Sequence, residues 1–355
     1  MPFWTWLVPA VAGVVLALSV ALGPSPLLGI VCAIALIGAV FAAVHHAEVV
    51  AHRVGEPFGT LVLAISVTVI EASLILSMML AGGPGKEVLP RDTIYSAIMI
   101  IANGVVGICL LVGALRHREQ SFRVEGAGPA LAALMALAAL SLVLPSFTTT
   151  TAGPTYSTSQ LEFAAVASLV LWAVFVFFQT VRHRDYFLPP TDAADETAHA
   201  LPPSNAQTWS SFGLLLVSLV AVVGLAKVLS PVIERAVASA GAPVAVVGIA
   251  IAMLVLLPET WAALRAARAD RFQTSMNLAL GSALASIGLT IPVVVAASIL
   301  FDIPITLGLA AKDLVMLALT FLVSAVTLGT GRTNLMQGAV HLVIFAAFLF
   351  LSLVP

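Results

Sequence analysis

LVLAISVTVIEASLILSMML, residues 61–80, is the stretch on which the fold turns. A helix of this length, rising about 1.5 Å per residue, crosses the roughly 30 Å of hydrocarbon in a bilayer. Glu71 stands near its middle. A carboxylate at that depth costs about 2.5–3.5 kcal/mol or more on insertion scales, a cost that usually marks a function, commonly an ion or proton site.

The rest of the chain agrees with a membrane reading. Of its 355 residues 61% are hydrophobic and only 9% charged, with a mean hydropathy of +1.11. That is too little charge to coat a soluble fold of this size. The expected class is an all-α polytopic membrane protein. A net charge of −2 gives no electrostatic support to a nucleic-acid partner. Cys32 and Cys109 lie inside apolar runs and read as small buried hydrophobes, not as a disulfide framework or metal ligands. The opening MPFWTWLVPA has no basic segment before its apolar stretch, so it is expected to be a first transmembrane helix and not a cleaved signal.

Eleven apolar segments approach or reach spanning length, at about 4–22, 27–50, 57–81, 93–115, 127–144, 160–181, 211–229, 243–265, 275–299, 305–328 and 334–354. Gly23-Pro24-Ser25-Pro26, Gly82-Gly83-Pro84-Gly85, Gly153-Pro154, Pro202-Pro203 and Gly241-Ala242-Pro243 punctuate them with turn chemistry. Arginines gather in alternate loops: Arg53; Arg116, Arg118 and Arg123; Arg182 and Arg184; Arg265, Arg268 and Arg271; Arg332. The opposite side has Lys86, Arg91 and Arg235, with Lys227 close by. The positive-inside rule then puts the N-terminus in the cytoplasm and the C-terminus in the periplasm or outside. Residues 182–210 form a long polar loop with Asp185, Asp192, Asp195 and Glu196, expected to be an acidic cytoplasmic linker.

Glu71 has a counterpart. Residues 61–76 lie over residues 249–264 without gaps, pairing Glu71 with Glu259, Ala64 with Ala252, Val67 with Val255 and Leu76 with Leu264. The third and eighth segments are an odd number of spans apart and so cross in opposite directions. This predicts an inverted repeat, five helices against five, with one extra helix at the start. The division is residues 1–26 (extra helix), 27–181 (first repeat), 182–210 (linker) and 211–355 (second repeat). In such folds the binding site lies near the membrane midplane, where both glutamates are expected.

Each glutamate segment is followed by one rich in small and polar residues. Gly104, Gly107, Gly281 and Gly288 are expected to let backbones approach. Asn103, Ser282 and Ser286 offer oxygen ligands, and Pro258 and Pro292 free backbone carbonyls. Carboxylates with such oxygens suit Ca²⁺, Na⁺ or K⁺ as transported ions, not a resident cofactor. A carboxylate that carries either a proton or a share of a cation explains cation/proton exchange at a single site.

HHAEVVAHRVGEPFGTLVLAISVTVIEASLI, RDTIYSAIMIIANGVVGICLLVGALRH, MNLALGSALASIGLTIPVV and GRTNLMQGAVHLVIFAAFLF closely resemble the ChaA-type bacterial sodium–potassium/proton and calcium/proton antiporters of the calcium/cation antiporter superfamily. The resemblance implies a sodium/calcium exchanger-like fold of eleven helices in the bacterial inner membrane, with two inverted α-repeats at about 57–115 and 243–299 and with Glu71 and Glu259, one in each, as cation and proton ligands. The Asn-rich and Gly-Asn motifs of sodium/calcium exchangers and of plant and fungal calcium/proton exchangers are missing beside both glutamates. Val69-Ile70 and Leu257-Pro258 stand there instead, which leaves room for Na⁺ or K⁺. The implied partners are the lipid bilayer and the transported cations and protons; an oligomer is compatible with the sequence.

His45, Glu48 and His52 share one helical face, with His46 adjacent and Glu56 just beyond. They suggest a polar cytoplasmic mouth or a pH sensor. Lys312-Asp313 reads as a charge-balanced pair, with Asp313 as an accessory proton site. Two rival readings are an intramembrane metal-dependent enzyme built on His45, His46, Glu48 and His52, and a passive cation channel.

Overall fold

A computed structural model describes residues 2–23, 25–55, 58–80, 85–188, 203–239, 241, 243 and 245–354. Its regular structure is helical: α1 (Trp4–Leu22), α2 (Pro26–Val54), α3 (Phe58–Leu80), α4 (Leu89–Met99), α5 (Val106–His117), α6 (Val124–Ala138), α7 (Thr158–Phe177), α8 (Asn205–Ser239), α9 (Ala245–Val255), α10 (Leu257–Arg268), α11 (Phe272–Phe301), α12 (Ala311–Leu328) and α13 (Leu335–Leu353). Among the described residues, nine helices or continuous helical stretches are long and apolar enough to cross a membrane, and α9 with α10 makes a tenth if that bent pair is one span. In α3 the described apolar stretch is Ile65–Leu80, shorter than the others.

Helix ends follow the local chemistry. Gly23 and Gly55, at φ 76° and 74°, take up backbone angles that close α1 and α2 and that a side chain would disfavour. Ser25 Oγ accepts from Leu28 N at 3.2 Å and opens α2, with Pro26 at the first turn. Asn334 and Gln337 cap α13 reciprocally at 3.0 Å each way. Three π-helical turns interrupt the regular pitch: Ile100–Val105 between α4 and α5, Ala139–Val143 after α6, and Phe178–Arg182 after α7. Such turns are enriched at functional sites.

The chain forms two compact units. The first comprises residues 1–86 and 201–258. Here α2 packs on α1, α3 and α8. Its contacts are close: a Cβ at Gly38 would meet Val8 at 3.1 Å, and one at Gly224 would meet Leu16 at 2.5 Å. Lys86 donates to Glu234, which also accepts from Ser230 Oγ at 2.8 Å. The second unit comprises residues 87–200 and 259–355, where α11 packs on α6 and α7, and α13 on α5. Each unit draws helices from both 27–181 and 211–355, so neither of those expected segments is a compact unit by itself. Outward faces carry large apolar side chains such as Ile34, Val170, Val220 and Val326, a surface suited to lipid.

Three of the four glycines expected to permit close approach do so. A Cβ would meet Phe345 at 3.3 Å from Gly104, His341 Cβ at 3.0 Å from Gly107, and Trp172 Cβ at 2.6 Å from Gly288. Gly281 differs: nothing lies within 4 Å of a Cβ there, because it borders a small cavity shared with Ala127, Ala130 and Phe175. The acidic linker, residues 182–210, falls largely outside the described residues.

Candidate functional site

Glu71 lies on α3 in the first unit, 2% exposed, between the fully buried Ile70 and Ala72. Thr68, one turn earlier on the same helical side, is also buried. Ser66, the next polar residue back, donates to Val62 O at 2.7 Å and so stays with its own helix. The Glu71 carboxyl is thus an intramembrane acid with its Oε1 buried.

Glu259 belongs to the second unit and stands in the first turn of α10. The sequence predicts one helix over 243–265. The structure has two, α9 and α10, bent by 54° at a break on Leu256. Pro258 supplies the reason. It has no N–H to give to the carbonyl of Leu254, and its ring crowds that carbonyl. Both Glu259 carboxylate oxygens are buried. A glutamate in the first turn of a helix meets the positive end of the peptide dipoles, and a helix broken at an ionisable residue is the geometry by which transporters expose backbone groups to ions. Pro292 has no such effect, since α11 runs unbroken through it.

On α11, Ser282 and Ser286 are one turn apart and share a side with Thr290. Ser286 is buried. Ser282 Oγ and Thr290 Oγ1 are buried oxygens without a hydrogen-bond partner among the described residues.

Asn103 occupies the centre of the first π-turn and is fully buried. Its amide faces α12 and α13: Nδ2 donates to Thr320 Oγ1 at 2.9 Å, and Oδ1 lies 3.2 Å from His341 Nδ1. His341 also contacts Thr327 Oγ1 at 3.1 Å through Nε2. Sequence reasoning missed His341, Thr320 and Thr327. The signal was present, since a histidine within an apolar span is itself unusual.

The histidine group divides. His46 is fully buried and holds three helices together, contacting Thr5 O of α1 at 2.9 Å and Ser211 Oγ of α8 at 3.2 Å. His45 is half-buried against the Trp4 ring, centroids 5.0 Å apart. Glu48 and His52 are exposed, and Glu56 lies outside the described residues. Among the described residues no group of three or more His, Cys, Asp or Glu side chains converges as a metal site. Asp313 sits at the start of α12, 3.9 Å from Lys312 Nζ, while that ammonium donates to Leu351 O at 2.7 Å. Asp313 also faces Tyr95 of α4.

The sodium/calcium exchanger protein family matches residues 24–181 and 210–354. The chain is 49% identical to a protein of Sinorhizobium fredii named as a candidate ionic transporter, over all of this chain and 97% of that one. It is 37% identical to the sodium-potassium/proton antiporter ChaA of Escherichia coli, over 92% of this chain and 90% of that one. The solved structure of native YfkE, a protein named as a Ca²⁺/H⁺ antiporter, superposes with a TM-score of 0.76 at 17% identity, covering 99% of this chain and all of that one. These relatives are transporters, which sets aside the metal-dependent enzyme. The chain is an integral membrane antiporter belonging to the sodium/calcium exchanger protein family, within the calcium/cation antiporter superfamily.

Proposed function

We propose that the chain exports Ca²⁺, Na⁺ or K⁺ across the bacterial inner membrane in exchange for protons. Glu71 and Glu259 are the carboxylates that bind cation and proton in turn, near the membrane midplane, as access alternates. Ser282, Ser286 and Asn103 supply supporting oxygens, and Asp313 is an accessory proton site. The exposed Glu48 and His52, with His45 and Glu56, form the cytoplasmic mouth. The chain crosses eleven times, with α3 and the α9–α10 pair each as one span, and the N-terminus is cytoplasmic. Helix α1 is the extra one, and 27–181 and 211–355 are the inverted repeats.

The observation that carries this reading is the burial of two glutamate carboxyl groups in apolar helical stretches, Glu71 on α3 and Glu259 beside the α9–α10 break; the gapless pairing of 61–76 with 249–264 in the sequence supports treating them as a pair. The sodium–potassium/proton and Ca²⁺/H⁺ activities named for the relatives give the range of ions. Departures beside both glutamates, Val69-Ile70 and Leu257-Pro258, support monovalent cations beside Ca²⁺.

Proton flux in inside-out vesicles, with Ca²⁺, Na⁺ and K⁺ added separately, tests the proposal. At least one ion should move protons, and Glu71→Gln and Glu259→Gln should each abolish exchange while the protein remains inserted. Retained exchange in either variant sinks the ligand assignment. Proton movement with none of the three ions sinks the antiport reading.

A further inference from the structure

The polar chain around Asn103 has a fixed sense. Thr320 Oγ1 lies 2.8 Å from the carbonyl of Met316, one turn back on α12, and gives its single hydrogen there. Its other neighbour, Met99 Sδ at 3.4 Å, is a much weaker acceptor. Thr320 therefore accepts from Asn103 Nδ2. That turns the amide oxygen of Asn103 towards His341 Nδ1. An amide oxygen only accepts, so Nδ1 must hold the imidazole hydrogen. Nε2 is then the acceptor, and the Thr327 hydroxyl donates to it. One helical carbonyl thus orients the chain from Thr320 to Thr327, and the carbonyl of Ala102 beside the His341 ring is a further acceptor for its N–H. Asn103, Thr320 and His341 are all 0% exposed, so water does not compete for these bonds.

We infer that His341 is a positioning residue for transport. As its Nδ1–H tautomer it holds the Asn103 amide oxygen in one orientation within the π-turn, taking one lone pair and leaving the second for the cation. This rests on the reading that Asn103 lends an oxygen to the transported ion. Neither the sequence motifs nor the family resemblance assigns a role to His341.

Two measurements test it. Histidine-selective ¹⁵N NMR of the wild-type protein in lipid, with the His341 signals identified by their loss in His341→Asn, should show the Nδ1–H tautomer. An Nε2–H tautomer at this position overturns the proposal, and this arm needs no variant to be functional. In the vesicle assay, His341→Leu should raise the apparent cation KM about five- to ten-fold, the effect of one lost hydrogen bond, with kcat unchanged. His341→Asn keeps an N–H donor near the place of Nδ1 and should recover most of the KM. Equal KM in wild type and His341→Leu, or equal damage from both variants, overturns the positioning role. Asn103→Leu with unchanged KM also overturns it, while the antiport reading continues to stand or fall on Glu71→Gln and Glu259→Gln.

Discussion

At residue 338 α13 lies against the backbone of α5, with no room for a methyl group. A Cβ on Gly338 would sit 2.6 Å from Leu111 N, 2.9 Å from Leu111 Cα and 3.1 Å from Gly107 O. These are backbone atoms of α5 and cannot rotate aside. Ordinary contact begins at 3.4 Å, so Gly338→Ala forces the two helices apart by about 0.8 Å at this turn. His341 lies on the next turn of α13, and its contact with Asn103 is already 3.2 Å. A comparable retreat carries it to about 4 Å, beyond hydrogen-bond range. Overpacking of this kind costs about 1–3 kcal/mol. The lost bond adds about 1 kcal/mol, and the gain of alanine over glycine within a helix offsets up to about 1 kcal/mol. The net expectation is a loss of about 1–3 kcal/mol, read as a lower Tm when tryptophan fluorescence follows thermal unfolding of purified protein. The cation KM should rise with it, because Asn103 loses its anchor. Gly338→Ala with both Tm and cation KM unchanged would refute the close α5–α13 packing and the dependence of Asn103 upon it.

Gly281→Ala makes the contrasting case: with nothing within 4 Å of the new Cβ, it should leave Tm unchanged or slightly raised, by up to about 1 kcal/mol of stability, and a marked loss would show that the neighbouring cavity is filled. Tyr156, in the segment before α7, donates to Leu140 O at 2.7 Å, and burial raises its phenol above the ordinary value. A raised folded-state value means that its contribution is fully present below about pH 10 and is lost as pH rises through the folded value. Tyr156→Phe should therefore cost about 1 kcal/mol at neutral pH and flatten the alkaline fall in Tm measured between about pH 9 and 12; an alkaline limb identical to wild type argues against this origin.

What the sequence discloses here is what can be seen locally. The positions of apolar helices are legible because each must present about 20 apolar residues to lipid without help from elsewhere. Glu71 and Glu259 stand out as candidates for the same reason, as a charge within such a run is costly whatever packs against it. His341 falls under the same argument, as an ionisable side chain within an apolar run. Its partner could not have been read, since Asn103 and His341 are 238 residues apart in sequence. The prolines show the limit from another side. Pro258 and Pro292 remove the same backbone donor, but α9 and α10 part beside the first while α11 continues through the second. A missing hydrogen bond weakens a helix; whether it breaks depends on the neighbours.

The histidines of α2 make the same point about faces. Spacing places His45, Glu48 and His52 on one side, which is correct as geometry, but it does not say which side is covered. Thr5 from the start of the chain and Ser211 from its second half meet His46 instead, so the adjacent residue becomes the buried one and His52 is left exposed. This follows from how the chain is compacted. The first compact unit combines 1–86 with 201–258, so the neighbours that decide burial come partly from the far half of the sequence. A sequence overlay is indifferent to that mixing because it compares positions, not contacts. It can therefore set Glu71 beside Glu259 with no knowledge of packing, whereas the anchoring of Asn103 depends on the π-turn, α12 and α13 lying side by side.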